Sequence, residues 1–109
     1  MKALLEKIEN EATALSRAEM KKAAMYYENC AASLGFRFLA EVEEVFGRIK
    51  GYPATGQTLK EPYCRALLQK FPYGVIYRQR ANTGYVVAVM HLKRKPGYWL
   101  YRVAESEEG

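Results

Sequence analysis

Cysteine and histidine are scarce in this 109-residue chain: Cys30 and Cys64 are its two cysteines and His91 its one histidine. The cysteines stand far apart, with neither CxxC nor Cys/His spacing, which argues against a disulfide framework and a structural zinc site. Each reads as a small core residue. No metal and no cofactor is expected. No apolar run approaches the ~20 residues that a membrane span requires, and the N-terminus lacks the uninterrupted apolar segment of a signal peptide. The expectation is a soluble, cytoplasmic protein. Repeats and low-complexity segments are missing too. Half of the residues are apolar, which suits one domain with a modest core; it is assigned to residues 1–104, ahead of an acidic tail at 105–109.

Acidic residues are nearly absent from one half. Residues 1–59 carry eight Lys/Arg and eight Glu, whereas residues 60–104 carry nine Lys/Arg against Glu61 alone. Glu105, Glu107 and Glu108 then offset part of the excess, leaving a formal net charge of +5. Such asymmetry steers association with RNA, DNA, an acidic protein or an anionic surface without dictating a fold. The bland alternative is a well-solvated basic face.

What is present is organised as helices followed by strands. Ser16 with Glu19 three residues on makes a capping box, ahead of Met20, Ala23, Ala24, Tyr27, Ala31 and Leu34 at helical spacing. Gly35 is the natural C-cap of that helix. A second amphipathic run follows, with Phe38, Leu39, Val42, Val45, Phe46 and Ile49 on one stripe and Glu41, Glu43, Glu44 and Arg48 elsewhere. So short a connection predicts an antiparallel helical hairpin. Gly51-Tyr52-Pro53 ends the second helix, and ATGQTLKEP reads as a polar loop.

Three strands are predicted at Tyr63–Lys70, Tyr73–Arg80 and Tyr85–His91. The continuous apolar character of YVVAVM predicts a central strand covered on both faces, and the short Asn82-Thr83-Gly84 linkage makes the last two strands a hairpin. The fold class is therefore α+β, an N-terminal helical hairpin packed on a small antiparallel sheet whose other face is left open for function. The last strand runs into His91-Leu92-Lys93-Arg94-Lys95, edged by Tyr98 and Trp99. Cations and aromatics side by side suit an anionic or nucleic-acid partner.

A family resemblance rests on Tyr26-Tyr27-Glu28, Leu34-Gly35-Phe36-Arg37-Phe38-Leu39, Pro53, Cys64-Arg65 with Leu67-Leu68, and Phe71-Pro72-Tyr73 with Ile76-Tyr77-Arg78. It continues through Ala88-Val89-Met90-His91 with Arg94, Pro96, Tyr98 and Trp99. In order and spacing this succession, over residues 16 to 102, resembles the RelE/ParE toxin superfamily, and most of all its plasmid-stabilisation branch. The resemblance implies a small growth-inhibiting toxin neutralised by a cognate antitoxin protein. Members usually open with a β-strand before the first helix. Here MKALLEKIEN reads as helical, with Ala3, Leu4, Leu5 and Ile8 grouped, and only Ala12 to Leu15 could supply a short strand. A shortened or lost first strand leaves a sheet edge to be covered by that helix or by another chain, so a homodimer is expected without the antitoxin.

The same resemblance splits the function. RelE-like members cut ribosome-bound mRNA by driving the ribose 2′-hydroxyl onto the adjacent phosphate, which needs a proton acceptor, cations and an acid. For that chemistry the candidates are Lys70, Arg78, Lys93 and Arg94 as cation clamps, His91 as acid or base, and Tyr98 as a stacking or proton-handling group. ParE-like members inhibit DNA gyrase with no established hydrolytic centre, and Lys93, Arg94, Lys95 and Trp99 would then contact the target; the PGYW-type ending favours this side. The third reading is a noncatalytic descendant that binds only its antitoxin. Each residue also has a structural reading. His91 can hydrogen-bond a neighbouring turn, Arg65 and Arg78 can pair with helix glutamates, Tyr98 and Trp99 can pack on the sheet, and Tyr26 and Tyr27 are helix-packing groups. No membrane partner is expected.

Overall fold

The computed structural model describes residues 14–93. Helix α1, Ala14–Cys30, and helix α2, Leu34–Gly51, form the expected hairpin. Ser16 is not a cap: it lies inside α1 and is fully buried, while the side chain of Glu19 is drawn to the sheet. Ala14 and Leu15 are helical rather than a strand, and the expected helix at 1–10 lies outside the described residues.

The break between the helices comes earlier than Gly35. Ser33 adopts a left-handed backbone (φ 69°), and the Glu28 carboxylate accepts hydrogen bonds from Ser33 N and Gly35 N, each at 3.0 Å. One side chain from the last turn of α1 thus satisfies donors at the start of α2, where negative charge also complements the helix dipole. Gly35 is consequently a buried residue of α2 and not a C-cap; Ala31 is exposed in the turn, and Leu34 begins α2. The α2 stripe packs as its periodicity requires: Phe38, Leu39, Val42, Val45, Phe46 and Ile49 are all buried. Arg48 and Lys50 in its last turn complement the opposite dipole end.

A 3-10 turn at Pro53–Thr55 leads into a four-stranded antiparallel sheet in sequence order: β1 Gln57–Thr58, β2 Tyr63–Leu67, β3 Tyr73–Arg80 and β4 Thr83–His91. The segment read as a polar loop thus contributes β1, held where the Tyr77 hydroxyl donates to Pro53 O (2.5 Å) and accepts from Gly56 N (3.1 Å). β2 stops at Leu67 rather than Lys70 because Glu41 Oε1 takes the N–H groups of Gln69 (2.8 Å) and Lys70 (3.1 Å), folding them into a turn. The β3–β4 hairpin turns through Ala81 and Asn82, with Ala81 at φ 55°; Thr83 and Gly84 are already paired strand residues.

The centre of the described sheet is β2 and β3, and β4 ends its strand order, so among the described residues YVVAVM is not the expected central strand. Its apolar character on both faces comes from a bulge. Ile76 pairs with Ala88 and Tyr77 with Val86, which leaves Val87 as an extra residue. Val86 and Val89 therefore join the core under the helices, while Val87, Ala88 and Met90 join Tyr63 and Ile76 in a second cluster on the other face. That face is not open as expected: Ile76 is 1% and Ala88 0% exposed. Among the cysteines, Cys64 is a core residue, but Cys30 is exposed at the end of α1.

Candidate functional site

The register that pairs Tyr73 with His91 brings the start of β3 and the end of β4 to the same end of the sheet as the Gln69–Pro72 turn. Rings converge here. Tyr27 of α1 sits 4.8 Å from Phe71 and 5.4 Å from Phe38 between ring centroids, and Tyr73 lies 5.1 Å from Phe38. The His91 ring meets Tyr73 edge-on at 5.1 Å, and its Nδ1 accepts a hydrogen bond from Lys93 N at 3.0 Å. An accepting Nδ1 puts the proton of the neutral imidazole on Nε2. Leu92 N, donating to Pro72 O at 2.9 Å, fastens the end of β4 to the turn.

Two grooves meet at Tyr27 and Pro72. One, of about 570 Å³, runs between α1 and the end of β4, past Glu19, Lys22, Tyr26, Tyr73, Met90 and His91. The other, of about 530 Å³, passes Leu34, Phe36, Arg37, Glu41, Lys70 and Phe71. Tyr26 (62%) and Phe36 (48%) leave large apolar surfaces exposed here. Both carboxylates face inward: Glu19 Oε1 accepts from Val89 N at 3.1 Å, and Glu41 closes the turn. Burial, followed by the charges of Tyr73, Tyr26 and Cys30, pushes the Tyr27 hydroxyl above its ordinary pKa, so it is a neutral hydrogen-bonding group at physiological pH. The surface is aromatic, with cations on its rim.

His91, Lys70 and Lys93 share this end of the molecule. Arg78 does not. It pairs with Tyr85, five residues further along β3 than Tyr73, which is roughly 16 Å at the strand rise, and on the opposite face of the sheet. Arg94, Lys95, Tyr98 and Trp99 lie outside the described residues. Arg65, weighed against a partner glutamate, instead donates from Nη2 to Gln57 Oε1 at 2.9 Å. Tyr27 packs against Phe38, Phe71 and Tyr73 as its helix-packing reading requires, whereas Tyr26, read the same way, is exposed. Sequence reasoning passes over Phe36 and Tyr73 at this end of the molecule, because the convergence of the helix hairpin and the turn carries no local signal. Among the described residues no cluster of three or more His, Cys, Asp or Glu is arranged to hold a metal ion, and no helix is long and apolar enough to cross a membrane.

Neither a curated protein nor a solved structure matches the chain. A family model described as the ParE toxin of the type II toxin–antitoxin system, parDE, matches residues 5–96. That span includes every element from α1 to β4, and two helices followed by an antiparallel sheet are the α+β arrangement expected of the RelE/ParE fold. The chain belongs to the ParE toxin family of type II toxin–antitoxin systems.

Proposed function

We propose that this chain inhibits growth by binding a protein target, with DNA gyrase the foremost candidate, rather than by cutting ribosome-bound mRNA. The observation that carries this reading is that Arg78, one of the candidate cation clamps, lies apart from the candidate acid–base group His91. Attack of a 2′-hydroxyl on its neighbouring phosphate needs proton carriers and cations around one phosphate, within hydrogen-bond reach of it. His91 faces the helix side beside Tyr73, whereas Arg78 lies on the opposite face near the other end of β3. Membership of the ParE family favours the same side.

In this reading Lys93, Arg94, Lys95 and Trp99 contact the target, the antitoxin is the neutralising partner, the compartment is the cytoplasm and the unpartnered toxin is a homodimer. Purified protein assayed against gyrase and against translating ribosomes side by side tests it. Blocked supercoiling with intact messages is the expected result, and charge reversal at Lys93 weakens the block by weakening protein contact. Cleavage of ribosome-bound mRNA that vanishes in His91→Ala would establish the endonuclease instead. Inactivity in both assays, with harmless expression in cells, would leave a noncatalytic antitoxin-binding protein.

A further inference from the structure

Tyr26 and Tyr27 are neighbours in α1, Tyr73 opens β3 and His91 closes β4, yet their rings follow one another along the groove between α1 and the sheet. Between centroids Tyr26 lies 5.3 Å from Tyr27, Tyr27 lies 6.1 Å from Tyr73, and Tyr73 lies 5.1 Å from His91, with interplanar angles of 72°, 69° and 73°. Four rings, each edge-on to the next, form a wall. One end of it carries uncommitted donors. Because Nδ1 of His91 accepts from Lys93 N, the imidazole proton sits on Nε2, which has no hydrogen-bond partner among the described residues. Lys22, exposed one turn before Tyr26, lines the same groove with no ion pair among the described residues. Along α1 it stands between Glu19, bonded to Val89, and Tyr27, packed on Tyr73, which brings it level with the end of β4. Glu19, the carboxylate in the lining, is turned to the Val89 N–H.

We propose that this groove is a binding site for a small planar aromatic carboxylate, whose ring lies along Tyr26 and Tyr73 and whose carboxylate is held by Lys22 and His91 Nε2. A flat ring extends the edge-on series already present, and Met90 adds a thioether, which suits an aromatic neighbour. An ammonium and an imidazole N–H both without acceptors call for an anion. The volume of about 570 Å³ is that of a small-molecule site. A nucleic acid fits less well, since a single ammonium in the lining neutralises too few successive phosphates. Occupancy would join α1 to His91 and, through its bond to Lys93 N, to the first of the residues proposed to contact the target. The site therefore reads as regulatory. It stands on the groove alone and does not depend on which target the toxin has.

The test titrates the full-length 15N-labelled chain with 2-naphthoate and follows the backbone amides. The expected result is a saturable response centred on Lys22, Tyr26, Tyr73 and His91, with 2-naphthamide, which lacks the charge, and octanoate, which lacks the ring, each binding about tenfold more weakly. Lys22→Gln and His91→Phe should each weaken 2-naphthoate about tenfold at an unchanged melting temperature, and Tyr26→Ala, at an exposed ring, about fivefold. Lys60→Gln, outside the groove, should leave binding as it was. Absence of saturation overturns the proposal, as does equal binding of 2-naphthamide or octanoate, or a response confined to the Phe36 and Lys70 groove. Tighter binding at the same amides by oligouridylate, or by a peptide ending in phenylalanine, would replace the small molecule with a nucleic acid or a protein terminus. Gyrase and ribosome assays report separately on the target: a chain that binds 2-naphthoate yet fails in both rejects the proposed function alone, and a toxic chain that ignores it rejects this site alone.

Discussion

Glu19 Oε1 accepts the backbone N–H of Val89 at 3.1 Å, across 70 residues of sequence, and so ties the first helix to the last described strand. The contact is part-buried, and its loss strands a backbone donor. Glu19→Ala should lower stability by about 1–3 kcal/mol, while Glu19→Gln, which keeps an acceptor, should cost less. Urea denaturation of both variants checks this; equal losses would show that the side chain acts by packing.

The helical turn supports an opposite experiment. Ser33 holds a left-handed backbone that costs an L-residue about 1–2 kcal/mol, and glycine carries no such penalty. Ser33→Gly should therefore be neutral or stabilising by up to about 1 kcal/mol after the added freedom of the unfolded chain is set against it. Glu28→Ala removes the acceptor of two backbone donors and should destabilise. Thermal melts of the two variants moving in opposite directions is the expected outcome.

Within the core, Phe46→Ala should cost about 3–5 kcal/mol, because a fully buried ring leaves a cavity that the surrounding side chains close only in part. Val87→Ala should cost less, since Val87 is the half-buried extra residue of the bulge. Equal losses in chemical denaturation would mean that the second cluster bears as much of the stability as the first.

Alkaline pH should weaken the fold. Burial is the main cause that raises the pKa of both Tyr77 and Tyr27 above their ordinary value of 10.0. With a raised folded-state pKa, the unfolded chain releases its protons first as pH rises, so the stabilisation is complete below about pH 10 and is lost as pH climbs through the folded values. Tyr77→Phe should flatten this alkaline decline while lowering stability at neutral pH, since it also removes the hydroxyl between Pro53 and Gly56. A decline of unchanged steepness in Tyr77→Phe would assign the effect to other groups.

The sequence reveals α2 through the spacing of Phe38, Leu39, Val42, Val45, Phe46 and Ile49, a signal local to one helix. It does not reveal where α1 stops, because that depends on a Glu28 carboxylate reaching two backbone donors beyond the helix. β1 is invisible for another reason: Gln57 and Thr58 are both exposed and carry no alternation, so only pairing with Arg65 and Cys64 defines them as strand. The apolar run in β4 is plain to see, but its meaning is not, since a bulge and a central position produce the same composition. At the site, the bond between His91 and Lys93 realises the neighbouring-turn reading. The distance from His91 to Arg78 needed the strand register.

The surplus at Val87 gives the fold, among the described residues, a spare unit of length in one place. Three consecutive apolar residues, Val86, Val87 and Ala88, face two partners, Tyr77 and Ile76. If any one of the three is deleted, the remaining two can occupy both partner positions, and the hairpin beyond keeps its register down to Gly84, which abuts Ile49. β3 has no such slack. Loss of Val75 or Ile76 would leave two partners against one residue and drag Tyr77 away from Pro53 and Gly56. Single-residue deletions should therefore be tolerated along 86–88 and rejected along 75–77, an asymmetry between two neighbouring strands that denaturation of the deletion variants would expose.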